Sequence, residues 1–550
     1  MRERLFLVAP AALLSGVTLL SGLALPAQEA RNVSGGVLIP EQACYDVEHY
    51  DLTVSIDPAS RLLVGKLSMR AKLLVDTPKL ALDLDPAYTV DEVRLDGEMV
   101  EFAHREGRIW IAPKEALLAR PQLVVAVSYA GVPPEAKNPP WQGGFTWKQT
   151  KDGKPWIATS CQGEGADLWW PCKDHPSDKA NTIDLRVTVP QGLVVASNGV
   201  QQGDPVENGK QWTFHWHVAS PISNYNLALN IAPYVELRDN FTCIDGTVMP
   251  IRFFVLPESE AKAKLCMPQF LDHIRVFEEI LGPYPFRAEK YGIAETPHLG
   301  MEHQTIIAYG NGFGDEQWDW LHNHELAHEW WGNLVTCRDW KDMWIHEGFG
   351  TYMQALYRER RFGRKAYQEE MRSAVALNRA PVAPRDSKTT FEIYFGNGGS
   401  NDIYKKGSWI LHTLRWQLGD EAFFRVLHEF CYPTEQQEKA TDGSQCRFVD
   451  TEEFVALCSR IAGEDLGWFF ELYLRQPVLP KLVAQKVGDW LELQWQTPND
   501  LPFAVPAPVG VSGKEVRVPM VGGKGRLEIG DAEFVLDPEH RVLLQRPRAR

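Results

Sequence analysis

His324-Glu325-Leu326-Ala327-His328 sets two imidazoles four residues apart. On an α-helix such residues share one face, about 6 Å apart along the axis. Two imidazoles so placed can hold one metal ion, and Glu325 lies between them, within reach of a water on that metal. Trp320-Leu321 and Trp330-Trp331 supply apolar flanks to bury the helix, and Gly332-Asn333 can end it. A catalytic zinc commonly takes three protein ligands and keeps a fourth position for water. Glu347 lies 19 residues beyond His328. Amphipathic spacing makes 343–362 a second helix, and a turn through 336–342 would bring Glu347 to face the two histidines. The expected site is therefore His324, His328 and Glu347 around one Zn2+ per chain. His322 and His346 neighbour these residues but should point off the metal face by about 100° or more, and are left out.

The stretch HELAHEWWGNLVT, followed by WIHEGFGTYMQ, resembles the aminopeptidase N and leukotriene hydrolase family of gluzincins, in which HExxH and a later Glu are separated by 18 residues. The resemblance implies a thermolysin-like, mainly α catalytic domain. Leu299-Gly300-Met301-Glu302-His303 resembles that family's Gly-x-Met-Glu-Asn stretch. Met301 and Glu302 match, while the first Gly and the final Asn do not. By resemblance Glu302 binds the substrate's free α-amino group, with Gly300 and Met301 beside the substrate. Tyr404-Lys405-Lys406-Gly407 resembles the family's Tyr-x-Lys-Gly, whose tyrosine stabilises the oxyanion. The segment ending Pro171-Cys172-Lys173-Asp174-His175-Pro176 resembles Pro-Cys-x-Asp-x-Pro. It places Gln162 where the family has a Gln or Glu beside the substrate amine.

The resemblance implies an aminopeptidase acting on peptide or protein N-termini, with Glu325 and Tyr404 as the catalytic side chains. Three other readings share the zinc core. An epoxide hydrolase of the leukotriene branch would place an Asp and a second Tyr shortly before Tyr404, where Gly396 and Gly399 stand at the equivalent offsets. A zinc endopeptidase would cleave N-acetylated peptides. An inactive binding scaffold would be expected to lack one of the five groups named.

These side chains must be positioned by the surrounding elements. Residues 42–237 alternate apolar and polar at 50–57, 63–75, 183–189 and 211–217, and Gly, Pro, Asn and Asp punctuate them. Such a pattern predicts a β-sandwich or large twisted sheet, with the continuous apolar run at 123–129 as a buried strand. From about 257 the period becomes helical: 258–281, 315–335, 343–362, 364–377, 406–418 and 420–431. Past 473, strand-like runs return at 490–495 and 533–536 between prolines. The expected organisation is a signal peptide (1–27), a linker (28–41), an N-terminal β domain (42–238), the metallopeptidase domain (239–477) and a small C-terminal β domain (478–550). With a short C-terminal β domain, the active site is expected to be more open than in longer members of the family.

Residues 2–4 carry two arginines and 5–25 form an apolar run broken by Pro10, Gly16 and Gly22. Leu25-Pro26-Ala27 offers a cleavage site. This reads as a secretory signal peptide, the alternative being an uncleaved membrane anchor. No second apolar run reaches spanning length, so the mature chain is expected to be exported, periplasmic or secreted, without a stable membrane span. Nine cysteines in an oxidising compartment should pair in part; Cys161/Cys172 and Cys431/Cys446 are close in sequence, but spacing fixes no connectivity. The 550 residues contain 57 basic and 72 acidic side chains, a net charge of −15. No basic footprint marks a nucleic-acid partner. The preferred N-terminal residue and the oligomeric state are not encoded in any motif.

Overall fold

A computed structural model describes residues 33–396 and 401–546. The expected signal segment lies outside the described residues. The N-terminal region is built on a nine-stranded sheet. Tyr45–Asp57 runs parallel to Thr182–Pro190 and antiparallel to Leu62–Leu73, and Arg120–Gly131 and Gln211–Val218 extend the two flanks. Side chains alternate between buried and half-buried along Thr182–Pro190, as a sheet with one covered face requires. The run at 123–129 alternates in the same way, so it is a one-sided strand and not the fully buried one expected. A four-stranded sheet containing Gly144–Gln149 and Pro155–Ser160 leads directly into the loop that carries Gln162.

A five-stranded sheet follows, in the order Val235–Thr242, Val248–Val255, Tyr291–Glu295, Ile307–Tyr309, Gly300–Met301. The division expected at 238 therefore crosses a strand. This strand pairs without a break from Val235 to Thr242 with the strand that follows. Gly300–Met301 is the edge strand, antiparallel to Ile307–Tyr309, and delivers Glu302 to the cleft.

The helices Glu260–Leu281 and Trp320–Ala327 pack against this sheet, and further helices pack on them. Glu260–Leu281, Trp344–Phe362, Lys405–Leu418 and Asp420–Cys431 lie close to their expected spans. The helix expected over 315–335 is only Trp320–Ala327. Asp319 accepts the backbone N–H of His322 at 2.9 Å and caps the N-terminus, and Asp315 turns the chain before it by accepting from Gln317 and Trp318. The helix after Gly363 ends at Ser373, four residues short of expectation.

Two three-stranded sheets close the chain, one around Trp490–Gln496 and one around Ala507–Val511. They dock on Lys405–Leu418: Trp416 donates to Pro506 O, Leu543 N donates to Thr413 Oγ1, and a ring nitrogen of His412 lies 2.8 Å from His540 O. The expected pairing of cysteines does not occur. All nine thiols are free and eight are buried. Cys431 and Cys458 are packed as small apolar groups in the hydrophobic core.

Candidate active site

The Trp320–Ala327 helix ends on His328, whose backbone is still helical at φ −67°, ψ −16°. His324 and His328 thus keep the i, i+4 relation. Their Nε2 atoms are 3.2 Å apart. Trp344–Phe362 brings Glu347 against both, with Oε2 at 3.4 Å from His324 Nε2 and 3.5 Å from His328 Nε2. His328 Nδ1 sits 2.9 Å from Trp331 O. This contact favours the proton on Nδ1 and aims Nε2 at the shared point. Two imidazole nitrogens and one carboxylate oxygen, all within 4.8 Å of one another, form a donor set that suits zinc. The residues present therefore fit the expected metal.

The electrostatics favour positive charge at this point. Burial works against a charged His328, yet its contacts with Glu347 and the charges of Glu302 and Glu325 raise it to about 10. Burial opposes ionisation of Glu347 too, and the two histidines nevertheless hold it well below the usual carboxylate range. Burial, with the Glu302 charge next, pushes Glu325 well above its ordinary value, as suits a proton acceptor that must later give the proton up.

Gly300 comes very close to Glu325. A Cβ there would stand 2.5 Å from Glu325 Oε1 and 2.8 Å from Leu321 Cδ1, so a side chain at this position would displace the ends of Glu325 and Leu321. Glu302 is 4% exposed. Its Oε1 accepts from Gln162 Nε2 and, at 3.1 Å, from the Tyr225 hydroxyl. Asn333 Nδ2 donates to its backbone carbonyl at 3.0 Å. Burial raises Glu302 to about 7. The Tyr404 ring lies 6.0 Å, centroid to centroid, from that of His324.

All nine residues expected from the sequence line a single cavity of about 460 Å³: Gln162, Gly300, Met301, Glu302, His324, Glu325, His328, Glu347 and Tyr404. Trp141, Leu299 and Trp320 add apolar wall. The two histidines left out of the ligand set are engaged elsewhere. His322 stacks on Phe270 at 3.8 Å, and His346 Nε2 accepts from Cys337 N at 3.0 Å.

Two tyrosines escaped the sequence reading. Tyr225 was hidden in a three-residue 3-10 turn, Asn224–Asn226. Tyr394 stands on the short helix Thr390–Phe395, ten residues before Tyr404. Its hydroxyl donates toward Glu347 Oε1 and Gln162 Oε1, each at 2.9 Å. Gly396 and Gly399, at the offsets of the leukotriene branch, carry no sign that a tyrosine farther upstream enters the site.

Two family models match the chain: the Peptidase M1 N-terminal domain over residues 46–226 and the Peptidase family M1 domain over residues 315–470. The chain belongs to peptidase family M1. The M1 catalytic model begins just before the Asp319 cap and runs past Tyr404. Among M1 relatives, a leucyl aminopeptidase of Saccharolobus solfataricus is 24% identical over 458 residues, 77% of this chain and 54% of the relative. Leukotriene A-4 hydrolase of Xenopus laevis is 26% identical over 360 residues, 60% of this chain and 54% of that one. The chain thus spans about half the length of these two curated relatives. The M1 zinc metallopeptidase of Deinococcus radiodurans shares the fold, with a TM-score of 0.64 at 24% identity, covering 79% of this chain and 94% of that one. A glutamate-to-alanine mutant of that protein has been solved with a Tyr-Ser-Ala substrate.

Proposed function

We propose that this M1 protein is a zinc-dependent aminopeptidase that removes residues from the N-termini of peptides. One observation carries the reading: a buried carboxylate, Glu302, and its partner Gln162 share a cavity with the His324, His328 and Glu347 trio. A pocket for a cation placed beside a metal-ligand set suits a substrate whose scissile bond lies one residue from a free ammonium. The relative named leucyl aminopeptidase, and the Tyr-Ser-Ala complex of the Deinococcus mutant, support it.

His324, His328 and Glu347 would hold the zinc, which supplies Lewis-acid polarisation and a lowered pKa for water. Glu325 accepts a proton from the attacking water on its carboxylate as the new C–O bond forms. It then delivers that proton to the amide nitrogen as the C–N bond breaks. Tyr404 donates its phenolic hydrogen to the carbonyl oxygen as negative charge gathers there. Glu302 and Gln162 grip the ammonium, which orients the peptide and closes the cleft beyond one residue.

The arginine-led apolar segment at 1–27 is read as an export signal, making the protein periplasmic or secreted. Among the described residues no helix is long and apolar enough to cross a membrane. The mass of the mature N-terminus from the native host tests this point. Hydrolysis of aminoacyl anilides by the zinc-loaded chain, with no cleavage of N-acetylated peptides, tests the activity. Cleavage of capped and free peptides alike would favour an endopeptidase instead.

A further inference from the structure

One buried phenol touches three of the groups given roles above. Tyr394 is 8% exposed. Its oxygen lies 2.9 Å from Glu347 Oε1 and 2.9 Å from Gln162 Oε1, and the Tyr404 hydroxyl donates to it across 3.4 Å. A phenol has one proton. Two acceptors therefore compete for it, one on the metal-ligand side and one on the amine side.

The surroundings hold Tyr394 at this fork. Its helix is fixed by a capping box between Thr389 and Glu392. Thr390 Oγ1 donates to Gly163 O, the residue after Gln162, and Thr390 N donates to Ser34 O at 3.1 Å. The loop bearing Gln162 and the helix bearing Tyr394 are thus tied together by the Thr390 side chain. On the other side, Glu347 turns Oε2 to both histidines and leaves Oε1 to Tyr394. The phenol holds the carboxylate so that one oxygen, not two, meets the histidine nitrogens.

We propose that Tyr394 is a positioning residue whose single proton couples occupancy of the amine pocket to the metal ligand Glu347. The inference rests on the aminopeptidase reading for the identity of that pocket. With the pocket empty, the proton is shared between Gln162 Oε1 and Glu347 Oε1. An ammonium beside Glu302 donates to Gln162 Oε1 and takes that acceptor away. The phenol proton then turns wholly to Glu347, where a hydrogen bond to an ionised carboxylate is the stronger one. Only hydrogen bonds change partners. By linkage, an amine in the pocket tightens metal binding, and metal tightens amine binding, by one and the same factor.

The test measures zinc affinity of the full chain by competition with a chromogenic chelator, with and without isoamylamine. That probe brings an ammonium but no carboxylate or carbonyl to reach the metal. Tyr394→Phe should weaken zinc binding about tenfold, the lower end for loss of a group that orients a ligand. Isoamylamine should tighten zinc on the wild type by about fivefold and leave the Phe variant unchanged. A Phe variant that binds zinc as the wild type does, or that keeps the amine effect, overturns the proposal. So does a wild type indifferent to the amine. Gln162→Leu gives a second route should the Phe variant not fold: with the competing acceptor gone, it should bind zinc without amine about fivefold tighter than the wild type does, and the amine should add nothing further. Retention of that effect in the Leu variant overturns the proposal as well. Failure of the aminopeptidase reading would show separately, as a zinc-loaded wild type that cleaves no free-amine peptide.

Discussion

Gln162 Nε2 donates to Glu302 Oε1 although the two residues are 140 positions apart in the chain. One comes from a loop following the four-stranded N-terminal sheet, the other from the edge of the five-stranded sheet. Tyr225, also from the N-terminal region, reaches the same oxygen. The pocket assigned to the substrate ammonium therefore exists only where the two regions meet.

Capping the substrate should expose this pocket's role. A buried carboxylate facing an ammonium makes a charge-assisted contact, roughly twice as strong as a neutral hydrogen bond. Acetylated peptides should be cleaved far more slowly than free ones, and Glu302→Ala should mainly raise KM for free-amine substrates. Equal use of both substrate types by the wild type would rule out the exopeptidase reading.

Metal content tests the ligand set directly. The purified chain should carry about one zinc. His328→Ala should lose both zinc and hydrolysis, measured by elemental analysis and anilide turnover on one sample. A His328→Ala protein with full zinc would refute the assignment.

Glu325→Gln separates the base from the ligands. Gln cannot accept the water's proton, so turnover should fall by about 10²–10⁴ while zinc is retained. Loss of zinc in this variant would make Glu325 a structural group.

Tyr404→Phe keeps the ring and removes the donor. The oxyanion develops only in the transition state, so KM should change little while kcat falls about 10²–10³. Steady-state kinetics with zinc content checked would show it. An unchanged kcat would pass the role to another group, with Tyr394 the nearest phenol.

Asp174 makes a prediction about stability. Burial raises its carboxyl to about 7, and Asp83 adds to the rise against the Ala166 N–H that it accepts at 3.0 Å. Unfolded, it would ionise near 4. The folded chain thus holds the proton longer, and stability should fall as pH rises from about 4 to 7, then level. Asp174→Asn keeps an acceptor for Ala166 and should flatten that slope in thermal melts. An unaltered slope would assign it elsewhere.

The zinc core was readable because its logic is local. An i, i+4 pair and an amphipathic helix 19 residues on need only a turn between them. The strands were readable from alternation, since a one-faced sheet forces a period of two. The length of the histidine helix was not: apolar spacing ran through 315–335, while Asp319, a capping residue in plain view, decided where it began. The cysteines misled because a pairing rule about compartments says nothing of packing, and eight of these thiols are buried as apolar groups in the hydrophobic core. Tyr394 had no local signature. Its place depends on Thr390 meeting Gly163, residues 227 positions apart.

Gly348 and Gly407 touch with no side chain between them: a Cβ on Gly348 would stand 2.9 Å from Gly407 Cα. Gly348 follows Glu347, and Gly407 lies three residues after Tyr404. The separation between the proposed metal ligand and the proposed oxyanion donor is thereby gauged by main chain against main chain. Such a joint has no rotamers to drift and admits no gradual retuning by trading one side chain for another. Variation in what the enzyme accepts is left to the cavity rim, where Trp141 and Trp320 are partly exposed, while the reacting end stays at a fixed calibration.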